Sequence, residues 1–229
     1  VSNGATLAGS GTISGPVTVA SAASLAPGSA EGAGTLTFSG ALTLNYGSML
    51  RMNLAAPGAS AKIAIGGTLT TPGVTALNIT ALAGFGPGVY PIITGAASIN
   101  LANFSLGTTP AGYAYDLAVS GGTLSLTVAA PLAPPVGLTA TADNASIDLN
   151  WSSLAGAVSY NVKRSLSSGS GYETIATGVT TTSFTDSGLA ADTAYFYVIS
   201  AVNLAGESEN SIEAAASTYA PIDAWRQQK

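Results

Sequence analysis

The sequence contains no cysteine and no histidine among its 229 residues. Without cysteine, neither a disulfide framework nor a thiolate metal site can form. Without histidine, the commonest general base and the commonest metal ligand are both missing, so no cofactor, no metal and no catalytic residue are expected. Charge is scarce too: Asp, Glu, Lys and Arg make up 7% of the chain, against about 25% in an ordinary soluble domain. Solubility must then rest on Ser, Thr, Asn and exposed backbone. The net charge is −5, and Lys163-Arg164 is the sole adjacent basic pair. Nucleic acid needs clustered Lys and Arg to displace counterions, so it is not an expected partner. Gly, Pro, Ser or Thr interrupts every stretch of about 18 apolar residues, and no membrane insertion is expected. The chain opens on Val1 in what reads as mid-structure, without methionine or a signal peptide, and is expected to be a piece of something larger.

What charge there is falls unevenly. Up to residue 130 the charged side chains are Glu31, Arg51, Lys62 and Asp116, and all the others follow. This break, together with the length, predicts two domains. We expect a repeat domain over 1–130, a stiff Pro131-Leu-Ala-Pro-Pro135 linker, a second domain over 136–219 and a tail over 220–229.

In the first part, apolar residues alternate with small polar ones. Examples are Ala5-Thr-Leu-Ala, Gly11-Thr-Ile-Ser, Pro16-Val-Thr-Val, Thr35-Leu-Thr-Phe, Ala41-Leu-Thr-Leu, Ala61-Lys-Ile-Ala-Ile, Leu77-Asn-Ile-Thr and Leu124-Ser-Leu-Thr-Val. That period of two is the strand signature, and helical periodicity is absent. The triplet Gly-Thr-Leu/Ile recurs at Gly11, Gly34, Gly67 and Gly122, suggesting a degenerate repeat whose coils stack and share one core. A two-sheet sandwich of the same strands is the alternative. Residues 82–118 break the pattern and concentrate aromatics: Phe85, Tyr90, Phe104, Tyr113 and Tyr115. Such a cluster either caps the last coil, whose open end would expose unpaired edges, or offers a platform on which sugars stack.

The stretch from Gly11 to Leu44, with Leu25-Ala-Pro-Gly-Ser and Gly34-Thr-Leu-Thr-Phe-Ser-Gly, resembles the autotransporter-associated β-strand repeat of large secreted bacterial proteins. The resemblance covers about residues 1–128 and implies a right-handed parallel β-helix, a β-solenoid, at the cell surface. True autotransporters continue into a membrane barrel, and here a different domain follows.

That domain reads as seven short alternating strands with polar turns, a Greek-key β-sandwich. Pro135-Val-Gly-Leu-Thr-Ala, Leu149-Asn-Trp151, Tyr160-Asn-Val-Lys-Arg, Leu189-Ala-Ala-Asp-Thr-Ala-Tyr195 and Val198-Ile-Ser-Ala-Val-Asn203 are similar to the fibronectin type III family. The resemblance implies that Trp151 and Tyr195 are core residues, with the Tyr195 hydroxyl tied back to the backbone. Ala191 stands where that family usually has proline. The tail Pro221–Lys229 has a short helical start with Trp225 as its anchor.

The expected fold is therefore all-β, a right-handed parallel β-helix followed by a fibronectin type III sandwich. The expected function is non-catalytic and extracellular, within a bacterial multidomain protein. The solenoid would bind polysaccharide or a cell-surface glycan, and the sandwich would act as a spacer between it and other domains of the same polypeptide. A hydroxyl-rich, nearly uncharged surface with a few aromatics suits sugars, and Tyr46, Phe85, Tyr90, Tyr113 and Tyr115 are the candidate ligand-binding residues. Catalysis on polysaccharide would need several converging carboxylates, and residues 1–130 offer only Glu31 and Asp116. The alternative is a purely structural stalk, adhesin or filament segment without a small ligand.

Overall fold

The computed structural model describes residues 1–219; the helical start and Trp225 anchor expected in the tail lie outside them. The chain divides into two compact units, Val1–Ala130 and a second beginning at Pro131. Among the described residues, no helix is long and apolar enough to cross a membrane.

The first unit winds repeatedly through the same three directions. Strands β1 (Thr6–Gly9), β2 (Gly11–Ile13) and β3 (Val17–Val19) make the first pass. The second comprises β4 (Ser24–Ser29), the short β5 (Gly32–Ala33), β6 (Thr35–Phe38) and β7 (Leu42–Leu44). The third is β8 (Met49–Leu54), β9 (Lys62–Ile65) and β10 (Leu69–Thr70). Then come β11 (Thr75–Ala81), β12 (Gly88–Thr94) and β13 (Phe104–Leu106). Corresponding strands pair in parallel into a first ladder β1-β4-β8-β11-β13, a second β2-β6-β9-β12 and a third β3-β7-β10. The hairpin β14 (Ala114–Ser120) and β15 (Thr123–Ala129) ends the second ladder, with β15 antiparallel to β12.

Register explains the core. In the first ladder Leu7, Leu25, Leu50, Leu77 and Leu106 stack one above another. Leu25, Leu50 and Leu77 are fully buried, whereas Leu106 at the end is exposed. The second ladder stacks Leu36, Ile63 and Ile93, with Phe38 between Ile13 and Ile65; the third stacks Val17, Leu42 and Leu69. Each pass is too thin to bury its own apolar side chains, so each rung completes the core of its neighbours.

The repeating sequence element is not the Gly-Thr-Leu/Ile triplet. Gly11 pairs with Leu36 rather than Gly34, so those two copies are out of phase; Gly67-Thr-Leu enters the third ladder and Gly122-Thr-Leu the antiparallel hairpin. The true repeat is the corner entering the first ladder: Val1-Ser-Asn-Gly-Ala-Thr-Leu7, Val19-Ala-Ser-Ala-Ala-Ser-Leu25 and Leu44-Asn-Tyr-Gly-Ser-Met-Leu50. Ala5, Ala23 and Ser48 each donate an amide hydrogen bond three residues back, to Ser2, Ala20 and Asn45. The residue just before each is left-handed: Gly4 (φ 75°), Ala22 (φ 58°) and Gly47 (φ 75°). Ala22 is the one that carries a Cβ there, a strained choice for an L-residue.

Ser24–Ser29, which the alternation leaves outside the strands, is strand despite Pro27. Pro27 lies beyond the two residues at which β4 pairs β8, and opposite a register shift at Gly9, so no ladder bond is lost.

The second unit is a two-sheet sandwich. Strands β16 (Thr139–Ala142) and β17 (Ser146–Asn150) share one sheet with β20 (Ser183–Ser187). The other is built from β18 (Ser159–Ser165), β19 (Glu173–Val179), β21 (Ala194–Asn203), β22 (Gly206–Glu207) and β23 (Ala214–Ser217). Ile147, Leu149, Trp151, Tyr160, Val162, Tyr195, Tyr197 and Ile199 fill its interior. Trp151 meets Tyr160 edge-on at 5.4 Å between ring centroids. The Tyr195 hydroxyl accepts a 3.0 Å bond from the Ala190 amide, and Asp192 (φ 51°) makes the turn that brings the chain round. The proline-rich stretch at 131–135 is anchored to this unit, with Leu132 packed on its core and Pro135 buried.

Candidate functional site

Four of the five candidate aromatics come together. The Phe85 ring stacks on Tyr90 at 5.7 Å, Tyr113 meets Phe85 edge-on at 5.3 Å, and Tyr115 meets Tyr113 at 6.4 Å. Their ring faces are spent largely on one another. Tyr90 is fully buried. Its hydroxyl faces the Gly86 carbonyl at 2.7 Å and the Ala55 carbonyl at 3.1 Å, and accepts from the Gly86 amide. Expected as a ligand contact, Tyr90 instead ties the 82–88 turn to the preceding pass. The apolar run Val89-Tyr-Pro-Ile-Ile93 draws it inward through β12, and no ring face remains for a sugar.

Phe85, Tyr113 and Tyr115 are half-buried. The Tyr115 hydroxyl donates 2.7 Å to the Pro110 carbonyl, and burial raises its pKa, with Tyr113 and Tyr90 adding to the rise. Tyr46 stands apart, in the corner after β7, and is 73% exposed. A Cβ on Gly73, in the next corner, would fall 2.7 Å from the Tyr46 Cβ, so the backbone of the following pass supports its base. Glu31 lies in the turn between β4 and β5 and Asp116 on the outward side of β14, so separate elements carry the first unit's two carboxylates.

A second group was not visible in the sequence because it depends on register. On the outward side of the first ladder, Arg51 of β8 lies beside Asn78 of β11, and Asn53 beside Thr80. Thr108, just past β13, bonds back onto Asn78: its amide and hydroxyl approach the Asn78 Oδ1 at 2.8 and 3.0 Å. A Cβ on Gly107 would come 2.3 Å from that oxygen, so glycine is needed for this approach. Arg51 Nε donates 3.1 Å to Ser24 Oγ, fixing one edge of the guanidinium. Asn53 Nδ2 donates 2.7 Å to the Ser29 carbonyl. Arg51, Asn78, Thr80 and Thr108 line a shallow depression of about 270 Å³. The hint in the sequence was that Arg51 and Asn78 share the outward phase of two Leu-containing strands, one residue after Leu50 and Leu77.

In the second unit, Arg164 bridges Asp186 at 2.9 Å and lies 5.5 Å from the centre of the Tyr195 ring. Tyr197 donates 2.8 Å to the same carboxylate, and burial, ahead of that bond, drives its pKa far above the phenol range. Lys163 pairs with Glu207 at 2.7 Å. Hydrogen bonding from Lys163, then from Ser200, holds the Glu207 carboxyl down at about 2. These groups satisfy one another within the sandwich.

No family model matches the chain. It is 44% identical over 89 residues to an amylopullulanase of Thermoanaerobacterium saccharolyticum, covering 38% of this chain and 7% of that protein. A poly(3-hydroxybutyrate) depolymerase of Ralstonia pickettii is 41% identical over 86 residues, which is 37% of this chain and 16% of the depolymerase. Among solved structures, an Fn3-like protein from Clostridium thermocellum is 45% identical, covering 41% of this chain and 98% of that one, with a TM-score of 0.37. The chain thus spans a small fraction of the curated relatives it matches.

Proposed function

We propose that this chain is a non-catalytic, extracellular accessory region of a larger bacterial protein that acts on polysaccharide. Its first unit is a right-handed β-helix that holds a glycan, and its second a fibronectin type III spacer. The observation that carries this reading is the outward face of the first ladder. Arg51, Asn53, Asn78 and Thr80 stand in register there on a rigid parallel sheet, a surface built to hydrogen-bond a hydroxylated chain. The aromatic cluster around Tyr90 acts as the cap, because its rings engage one another and the preceding pass; Tyr46 remains as an exposed stacking surface.

The relatives support the division of labour. They are named for two unrelated polymers, pullulan and poly(3-hydroxybutyrate), and the match occupies a minor share of each. Short matches within enzymes named for such different polymers fit a spacer, here read as the second unit, more readily than a recogniser of either polymer. Recognition then falls to the first unit. Growth into a filament by stacking identical passes is disfavoured, because the antiparallel β14–β15 hairpin breaks the parallel register at one end.

Affinity electrophoresis of the chain in gels containing pullulan, xylan, mannan or pectin tests this. Retardation by at least one polysaccharide is expected, and unretarded migration in all four would overturn it.

A further inference from the structure

The outward face of the first ladder carries donors in Arg51 and Asn78, and acceptors in Asn53, whose Nδ2 is spent on the Ser29 and Ala30 carbonyls, and in Thr108, whose hydroxyl hydrogen is spent on Asn78. Beyond its bond to Ser24, the Arg51 guanidinium has no hydrogen-bonded or ionic partner among the described residues, whose two ion pairs both lie in the second unit. Glu31, carried by the turn whose Ser29 and Ala30 carbonyls face Asn53, makes no ion pair with Arg51 among the described residues. Asn78 spends its oxygen on Thr108, which turns its Nδ2 donor outward. The hydroxyls of Thr80 and Thr108 lie at the exposed rim. At about 270 Å³ the depression falls just below the usual range of small-ligand sites, roughly 300 Å³ upward. It has room for a ring-sized group rather than an extended molecule.

A guanidinium with both terminal nitrogens unspent is a fork that fits a carboxylate in two parallel bonds. Neutral sugars present hydroxyls, which engage the Asn and Thr side chains but leave the guanidinium without a counter-charge. We propose that the depression around Arg51 binds one carboxylate-bearing residue of an acidic polysaccharide. Arg51 grips the carboxylate, Asn78 Nδ2 and the Thr80 hydroxyl donate to neighbouring oxygens of the sugar, and the Thr108 hydroxyl, whose hydrogen is spent on Asn78, accepts from a sugar hydroxyl. The inference rests on the glycan-binding reading above and narrows it to a ligand class. Gross charge gives no help: the whole chain is acidic, and in the first unit Arg51 and Lys62 only balance Glu31 and Asp116. Retention of a polyanion must therefore come from local geometry.

The test uses calorimetry on the whole chain with three probes: polygalacturonate, its fully methyl-esterified form and neutral pullulan. Methyl esterification keeps the sugar backbone and removes the carboxylate charge. Polygalacturonate is expected to bind at least roughly tenfold more tightly than its ester, as a charge-assisted pair implies. Arg51→Gln should remove that preference, while Lys62→Gln, on the second ladder, should leave it unchanged. Arg51 is exposed, so its replacement leaves the core intact, and matching thermal transitions confirm this. Equal affinity for the acid and the ester, unchanged binding by Arg51→Gln, or an equal loss in Lys62→Gln would overturn the inference while leaving the broader reading in place. Absence of binding to all three probes overturns the inference, and the electrophoresis panel then decides the broader reading separately.

Discussion

The two units reach stability by opposite routes from the same kind of strand. The first buries Leu on Leu along ladders and carries almost no charge; each layer of its core is supplied by a different pass of the chain. The second packs sheet on sheet around Trp151 and Tyr195 and adds a polar web, Arg164–Asp186–Tyr197 and Lys163–Glu207–Ser200. The contrast teaches where a binding surface can form. In the sandwich Arg164 and Lys163 are each paired with a carboxylate, whereas the first unit leaves Arg51 without an ionic partner among the described residues, on the outward face of a repeating ladder.

Core truncation should separate the units most sharply. Leu50, buried between Leu25 and Leu77, should cost about 3–4 kcal/mol when changed to Ala. Leu7→Ala, at the partly exposed end of the same stack, should cost about 1 kcal/mol by its smaller buried area. Urea unfolding followed by Trp151 fluorescence in a Trp225→Phe background, which reports the sandwich, together with far-ultraviolet circular dichroism, which reports both units, should place the loss in the first unit. Equal effects of the two substitutions would break the ladder account.

In the sandwich the comparable break is polar. Asp186→Ala leaves Arg164 and the buried Tyr197 hydroxyl without their shared acceptor, and a loss of about 2–3 kcal/mol is expected in the Trp151-detected transition. The first unit should unfold as before.

The corner repeat gives a smaller and signed pair of effects. Gly47→Ala puts a Cβ at φ 75°, about 3.0 Å from Ser21 Oγ, and should cost about 1 kcal/mol. Ala22→Gly, at the equivalent strained position, should be neutral or stabilise by up to about 0.5 kcal/mol. If both substitutions destabilise alike, the corners are not equivalent.

Acid should produce the mildest difference. The folded Glu207 carboxyl titrates near 2, below the ordinary 4.5. Its contribution is therefore complete above about pH 5 and is lost as pH falls toward 2. With the Glu207 side chain 40% exposed, screening limits the effect to about 1 kcal/mol. Glu207→Gln should flatten the acid limb of the sandwich's stability profile over that range. An unchanged limb would remove this ion pair from the account.

Much of this was legible along the chain. Period-two alternation located strands in both units, and the resemblance of the segments around Trp151, Leu189 and Tyr195 to the fibronectin type III family placed them in a sandwich core. What the alternation could not supply was register between passes that lie far apart in sequence. Gly-Thr-Leu/Ile is a turn-and-strand phrase that recurs at the start of strands in different ladders, whereas the corner before Leu7, Leu25 and Leu50, which sets the stacking, demands only a small residue and one left-handed residue. The clustering of aromatics after residue 82 fitted a cap and a sugar platform alike, and the apolar neighbours that carry Tyr90 inside were the signal that separated it from an exposed ring. Arg51 and Asn78 are distant in sequence, and only the stacking of Leu50 on Leu77 brings them side by side.

That stacking is the central claim, and the absence of native cysteine makes a direct test clean. Asn53 and Thr80 are paired across β8 and β11, so their Cα atoms sit about one strand spacing, roughly 4.8 Å, apart. Arg51 and Thr80 are offset by two residues and lie beyond the roughly 7 Å that a disulfide can bridge. The double variant Asn53→Cys, Thr80→Cys should close a disulfide under mild oxidation, seen as a shift in non-reducing electrophoresis, while Arg51→Cys, Thr80→Cys should remain reduced. Closure of the offset pair in preference to the paired one would contradict the register on which both the core and the proposed binding face depend.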